Sequence, residues 1–239
     1  MNKHKKADLL KVIIEKLEPF YKLYNFKFQE KRVYFYKDEW LCFWGPASEH
    51  IDSLTFRPWF RLTNKKIKTI LQLLFPDEIG GEITIVRHQS PEMLIELGIV
   101  GYQSNYIEKY ESGCLYAYHI DEETLLDPII NDHINYMKNV ALPFFEKLET
   151  ISGIDSFLND RILLGDETFF QEKERQNLLK KYFEKREVLS GIVSAYLVSN
   201  PHLEELIHRY HLLWEGNRFI LDDFEKVLNY FRENPVPYA

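Results

Sequence analysis

Arg32-Val33-Tyr34-Phe35-Tyr36-Lys37-Asp38-Glu39-Trp40-Leu41-Cys42-Phe43-Trp44-Gly45-Pro46 is the stretch that decides the fold. Both halves are runs of aromatic and apolar residues, the composition that suits a pleated, half-buried surface. Lys37-Asp38-Glu39 separates them as a turn, and Gly45-Pro46 closes the second run. Two strands this close in sequence pair antiparallel, because a parallel pair needs a far longer crossover. Just upstream, Phe26-Lys27-Phe28-Gln29 alternates apolar with polar, as a strand does. Downstream, residues 54–62 read as one further strand of the meander, with Pro58 marking an edge or a bulge.

Helices bracket this β-rich front. Leu9, Leu10, Ile13, Ile14, Leu17, Phe20, Tyr21 and Tyr24 recur at spacings of three and four, one apolar helix face, which Pro19 is expected to kink or end early. Thr63 can cap a second helix with Ile67, Ile70, Leu71 and Leu74 turned inward. Residues 82–88 and 113–120 read as strands, and Ser90-Pro91 as the start of a short helix over 90–97. After His119 the pattern is helical. Asp127-Pro128 opens a long helix through Ile130, Ile134, Met137 and Ala141, which Pro143 interrupts. Further helices are predicted over 166–185, 187–198, 201–214 and 222–232; Asn200-Pro201 and an Asp222…Glu225 capping box fix the last two starts. The expected architecture is α+β: a mostly antiparallel sheet flanked by helices over residues 1–160, with a C-terminal helical bundle over 161–239 packed on it.

Composition narrows the classes. The hydrophobic fraction of 45% and charged fraction of 28% match globular chains, and 10 Gly with 10 Pro are too few for a collagenous or low-complexity one. The formal net charge of -7 disfavours a nucleic-acid partner, whose phosphates are held by Lys and Arg. Lys11, Glu15, Lys16 and Glu18 break up the first apolar segment, so it is read as an amphipathic helix and not a signal peptide. A cytoplasmic protein without a membrane partner is expected. Cys42 and Cys114 stand far apart among apolar and aromatic neighbours, which suits buried thiols.

Two local patterns carry a family likeness: the first helix running into Tyr24-Asn25-Phe26-Lys27-Phe28, and the step Leu142-Pro143-Phe144-Phe145-Glu146-Lys147 after the long helix. With the order of elements, they make the first two-thirds of the chain resemble a loosely defined group of bacterial α+β domains of unknown function. Some of these act as immunity proteins beside secreted toxins. The resemblance implies a protein partner and supplies no catalytic residues; the segment after Arg161 lies outside it.

Three constellations are candidates for function. Trp40, Trp44, Arg57, Trp59 and Arg61, with Tyr34 and Tyr36, concentrate indole rings and guanidinium groups around the meander. Arginine beside indole could hold a carboxylate, a phosphate or an acidic protein surface; the competing reading is a core in which arginine stems cover aromatic rings. Glu204, His208, His211 and Glu215 share one helix face at spacings a metal site could use. Leu203, Leu206, Ile207, Tyr210 and Leu213 mark the other face as the core side, so the stripe reads as solvated and no metal or cofactor is assigned. His119 with Asp121, Glu122 and Glu123 could form an acid/base pair, or simply open a helix. No phosphate loop, nucleophile elbow or Cys-x-x-Cys occurs. The functional expectation is a protein-interaction module, immunity-like by resemblance. Its alternative is a small-molecule-binding protein or hydrolytic enzyme with a pocket between sheet and helical tail.

Overall fold

The computed structural model describes residues 3–30, 34–37, 40–43, 46–49, 54–56, 59–76, 103–110, 113–121, 123–163, 180 and 185–235. The fold is α+β. Two compact units make it up, the first from Met1–Leu62 and His88–Phe144, the second from Thr63–Arg87 and Phe145–Ala239.

In the first unit, helix α1 (Lys3–Leu23) buries Ile13, Leu17 and Tyr21 completely, the spacing of one helix face. Pro19 does not end it. Proline inside a helix costs roughly 3 kcal/mol, and the fully buried residues two positions either side of it, Leu17 and Tyr21, supply the packing that outweighs this. The helix stops at Asn25, whose φ of 63° lets Phe26 N–H reach the Tyr21 carbonyl at 3.0 Å and Asn25 N–H reach that of Lys22 at 3.0 Å.

Strands β1 (Lys27–Gln29), β2 (Tyr34–Lys37), β3 (Trp40–Phe43), β4 (Pro46–Glu49), β5 (Leu54–Phe56) and β6 (Trp59–Leu62) follow. The first sheet has the order β1-β2-β3-β6, antiparallel throughout. Tyr21 of α1 stacks on Phe35 of β2 at 4.0 Å between ring centroids, 8° from parallel, which fixes the helix against this sheet. The expected single strand over 54–62 is two: β5 leaves for a second sheet, between β4 and β9 (Tyr118–Ile120). Likewise the run over 113–120 divides at Ala117. Its first half, β8 (Gly113–Tyr116), pairs with β7 (Ile107–Tyr110) as a two-stranded sheet.

Helix α3 (Leu126–Tyr136) packs on α1, with Lys16 Nζ 2.7 Å from Asp127 Oδ1 across the pair. It passes through a π turn, Met137–Ala141, into α4 (Leu142–Lys147). Pro143 therefore sits inside a continuing helix. Proline lacks an N–H and its ring crowds the carbonyl four residues back; the wider turn before it, where Leu142 N–H bonds the Met137 carbonyl, relieves that clash.

The second unit contains α2 (Lys65–Leu74), α5 (Ile151–Leu163), α6 (Lys185–Leu197), α7 (Leu203–Leu213) and α8 (Arg218–Glu233). Helix α6, buried along Val188 to Ala195, contacts α2, α5, α7 and α8. Asn64, not Thr63, caps α2; its side chain accepts from Lys66 N–H at 3.0 Å and Ile67 N–H at 3.3 Å. Similarly α8 begins at Asn217, whose side chain accepts from Ile220 N–H, so Asp222 and Glu225 lie within the helix and do not open it. Helix α7 starts two residues after Pro201.

The domain boundary expected near residue 160 falls inside α5, a helix the periodicity did not reveal. The compact units divide instead at Phe145, and α2 joins the later helices because Ile67 and Leu71 are its buried face and α6 is its neighbour. The predicted segments 82–88 and 90–97, and nearly all of 166–185, lie outside the described residues.

Candidate functional site

The register of the first sheet sorts the aromatic and basic residues of the meander. Cross-strand partners share a face, and neighbours along a strand alternate. One face holds Phe28, Phe35, Cys42 and Phe60 in one row and Lys37, Trp40 and Leu62 in the next. Phe35 and Leu62 are 1% and 3% exposed, so this is the buried side.

The opposite face holds two rows that cross all four strands. Lys27, Tyr36, Leu41 and Arg61 form the first; Gln29, Tyr34, Phe43 and Trp59 form the second. Lys27 and Gln29 are exposed and Tyr36 half-buried, so this side reaches solvent at least along β1 and β2. The backbone register thus pairs Trp59 with Phe43, Arg61 with Leu41 and Trp40 with Leu62. Trp44 and Arg57 lie outside the described residues.

Beneath the helices of the first unit lies a cluster of phenols. Tyr116 and Tyr118, both fully buried, each donate to Asp132 Oδ2 on α3, at 2.5 and 2.9 Å, and their oxygens are 2.5 Å apart. One turn of sheet-to-helix contact is therefore tied by a single carboxylate oxygen. Burial, then the adjoining Tyr118 and Asp132, pushes the Tyr116 phenol far above its ordinary value, so it serves as a donor and not as a base. Next to it, His133 Nε2 lies 2.7 Å from the Tyr21 hydroxyl. Complete burial lowers the His133 imidazole to about 3, which keeps it neutral near pH 7. These hydrogen bonds hold α1, α3 and the strand ends together. The sequence showed their residue types but nothing that marked them as one cluster.

A second buried network occupies the other unit. Asn159 Nδ2 donates to Asp155 Oδ1 at 2.6 Å and to the Gly191 carbonyl at 2.9 Å. Asn200 Nδ2 donates to Asp155 Oδ2 at 2.7 Å, Ser194 Oγ to the Gly191 carbonyl at 2.8 Å, and Tyr210 Oη to Asn159 Oδ1 at 2.7 Å. Burial raises the Asp155 carboxyl above its ordinary value, opposed by the hydrogen bonds from Asn159, Asn200 and Ser194. Near the start of α6, Lys185 and Lys226 both pair with buried Asp223, and Lys185 Nζ stands 4.0 Å over the Phe219 ring. Burial works to raise the Asp223 carboxyl, but the two ammonium groups hold it below the usual range.

The histidine candidates separate between the units. In the first, His119 is exposed on β9 with Nδ1 3.1 Å from Thr55 Oγ1. Asp121 there accepts from Thr124 Oγ1 at 2.6 Å and Glu123 N–H at 3.0 Å, a local turn whose hydrogen bonds, Thr124 first, lower its carboxyl. Glu122 lies outside the described residues. In the second unit, Glu204, His208 and Glu215 are exposed, while His211 is half-buried with Nε2 3.1 Å from Glu225 Oε1. No group of three His, Cys, Asp or Glu among the described residues is placed to hold a metal ion. No described helix is long and apolar enough to cross a membrane.

No family model, curated protein or solved structure matches the chain. Its reading therefore rests on its own residues.

Proposed function

We propose that the chain is a protein-interaction module whose contact surface is the face of the first sheet carrying Tyr34, Tyr36, Trp59 and Arg61. The observation that supports this most is the register, which sets two four-residue rows side by side, one ended by Lys27 and Arg61 and the other carrying Tyr34, Phe43 and Trp59, alternating with the rows of Phe35 and Leu62. Tyr, Trp and Arg are the residues that most often anchor protein contacts. The buried clusters, whose groups are turned on one another, support a scaffold more than a reaction centre. In this reading the later helices form a bundle that serves the scaffold, and the module works in the cytoplasm. An immunity-like role, as the family likeness implies, is one such use.

The test compares wild type with Trp59→Ala and Arg61→Ala as immobilised baits for host lysate, with retained proteins quantified and folding checked by far-UV circular dichroism. A near-stoichiometric partner held by wild type and lost by a folded Trp59→Ala variant is the expected result. If every retained protein is indifferent to both substitutions, the sheet face is not the contact surface.

A further inference from the structure

A buried carboxylate is ordinarily matched by a cation, because taking an unmatched charge out of water is costly. Asp223 in the second unit follows this rule, held by Lys185 and Lys226. Asp155, on α5 of the same unit and 6% exposed, does not. Among the described residues its partners are neutral: Asn159 Nδ2 at 2.6 Å and Ser194 Oγ at 3.5 Å on Oδ1, and Asn200 Nδ2 at 2.7 Å on Oδ2. We propose that Asp155 is a proton-binding site, and that its protonation tightens the turn between α6 and α7 against α5.

These partners suit either form of the carboxyl. Ser194 has one hydroxyl proton and two acceptors, Asp155 Oδ1 at the outer reach of a hydrogen bond and the Gly191 carbonyl at 2.8 Å. It donates to the carboxylate, or gives its proton to Gly191 and accepts from the carboxylic acid at Oδ1. Asn159 and Asn200 stay donors in both forms. Turning either amide over would forfeit a bond, since Asn159 Oδ1 accepts from Tyr210 Oη at 2.7 Å and Asn200 Oδ1 from His202 N–H at 2.8 Å. Proton uptake therefore removes a buried charge and keeps the network.

Asn200 carries the effect to the turn. Its N–H reaches the Ala195 carbonyl at 2.9 Å, its own carbonyl accepts from Leu203 N–H at 3.1 Å, and its side chain joins Asp155 to His202. Around the carboxyl, α5 adds the like charge of Asp160. The charged residues of α6, Lys185, Arg186 and Glu187, stand in its first turn, about two turns from Ser194. From α7 come Tyr210, a phenol that burial keeps neutral, and Arg209, which is turned on the Ile162 and Leu163 carbonyls and Glu205. Burial first, then Asp160, raises the folded carboxyl above its ordinary value. Opening the turn would let water reach the group and undo that rise, so the proton favours the closed turn. The contribution is complete below the ordinary carboxylate range and is lost as pH rises through the folded value, the opposite sense to buried His133 of the first unit.

The test follows two signals in the full chain from about pH 8 to about pH 4. One is the side-chain carboxyl carbon of Asp155 by NMR. The other is hydrogen exchange at the amides of Asn200, His202 and Leu203, corrected for the intrinsic pH dependence of exchange. The carboxyl is expected to titrate at a higher pH in the folded protein than in urea, and protection of those amides should rise several-fold through the same midpoint as pH falls. Folded Asp155→Asn, which has no proton to take up there, should hold one level of protection across the range. A folded carboxyl that titrates at or below its urea value overturns the proton site, a result that wild type alone can give. Protection that ignores the Asp155 midpoint, or a step that survives in Asp155→Asn, overturns the coupling to the turn.

Discussion

Tyr210 on α7 donates to Asn159 on α5 across 2.7 Å, directly over the backbone of Gly191 on α6. A Cβ at position 191 would lie 2.5 Å from the Tyr210 hydroxyl oxygen and 2.9 Å from Asn159 Oδ1. Three helices therefore meet at a point where only glycine leaves room for the hydrogen bond.

Gly191→Ala is accordingly expected to destabilise the second unit by about 1–3 kcal/mol, the usual cost of overpacking a well-filled site. Tyr210→Phe should cost about 1–3 kcal/mol by leaving a buried amide oxygen without this donor. The informative protein is the double variant. Removing the hydroxyl also removes the atom that alanine strikes, so the two losses should fall short of their sum by at least about 0.5 kcal/mol. Urea unfolding of all four proteins checks this; strict additivity would mean the helices shift to admit the methyl group.

The first unit carries a pH dependence of definite sign. His133 is neutral in the folded state, with its imidazole near 3, whereas an unfolded chain takes up the proton near 6.5. The folded value is the lower one, so the contribution to stability is complete above about pH 6.5 and is lost as pH falls toward 3. Between about pH 7.5 and about pH 5 wild type should lose roughly 2 kcal/mol from this group alone. His133→Gln, although less stable at neutral pH, should lose that much less over the same interval. An identical pH profile for the two proteins would show that His133 is not its source.

Ser199 ends α6 with φ 54°, a left-handed backbone that a side chain disfavours. Asn200 N–H reaches back to the Ala195 carbonyl at 2.9 Å through this residue, and the side chain is exposed. Ser199→Gly should therefore raise stability by about 0.5–1 kcal/mol, visible as a higher melting temperature. A lower melting temperature would assign the serine side chain a role that its exposure does not suggest.

Hydrogen exchange offers a further check. Amides of the π turn and the first turn of α4, residues 137–144, should exchange faster than those of 130–136 on α3, because their ladder is interrupted by the five-residue spacing and by Pro143. Pro143→Ala restores a donor and should slow exchange there. Uniform protection along 130–144 would show that the turn is as strong as the helix around it.

Much of this architecture was legible locally, and its failures have a common cause. The helix faces of α1 and α2 stood out because their buried residues are apolar at regular spacing, whereas the buried face of α3 runs through Ile129, His133 and Tyr136 and leaves the expected Ile134 half-buried. Helix α5 did not, since Ser152, Gly153, Asp155, Ser156 and Asn159 are poor helix formers and two of them, Asp155 and Asn159, are on its buried side. Gly153 is nevertheless required, as a Cβ there would meet the Lys147 carbonyl oxygen at 1.6 Å. Strand β4, Pro-Ala-Ser-Glu, has no strand former and exists through its pairing with β5. The divisions at 57–58 and at Ala117 depend on which distant strand each half joins, and local propensity carries no information about partners. For the same reason Trp59 and Arg61 could be seen to alternate together, while the pairing of Trp40 with Leu62 needed the register.

The second unit takes α2 from early in the chain and the rest of its helices from residue 145 onward. During synthesis α2 leaves the ribosome long before α6, so Ile67 and Leu71 emerge with no surface to cover them. The nascent chain must carry that apolar helix face until the helix over 185–197 has appeared. A fragment cut to begin at residue 145 would lack the helix from its start and expose the opposite side of the same contact. Expression of the later helices alone should then yield aggregate unless the 63–87 segment is supplied, by fusion or in trans.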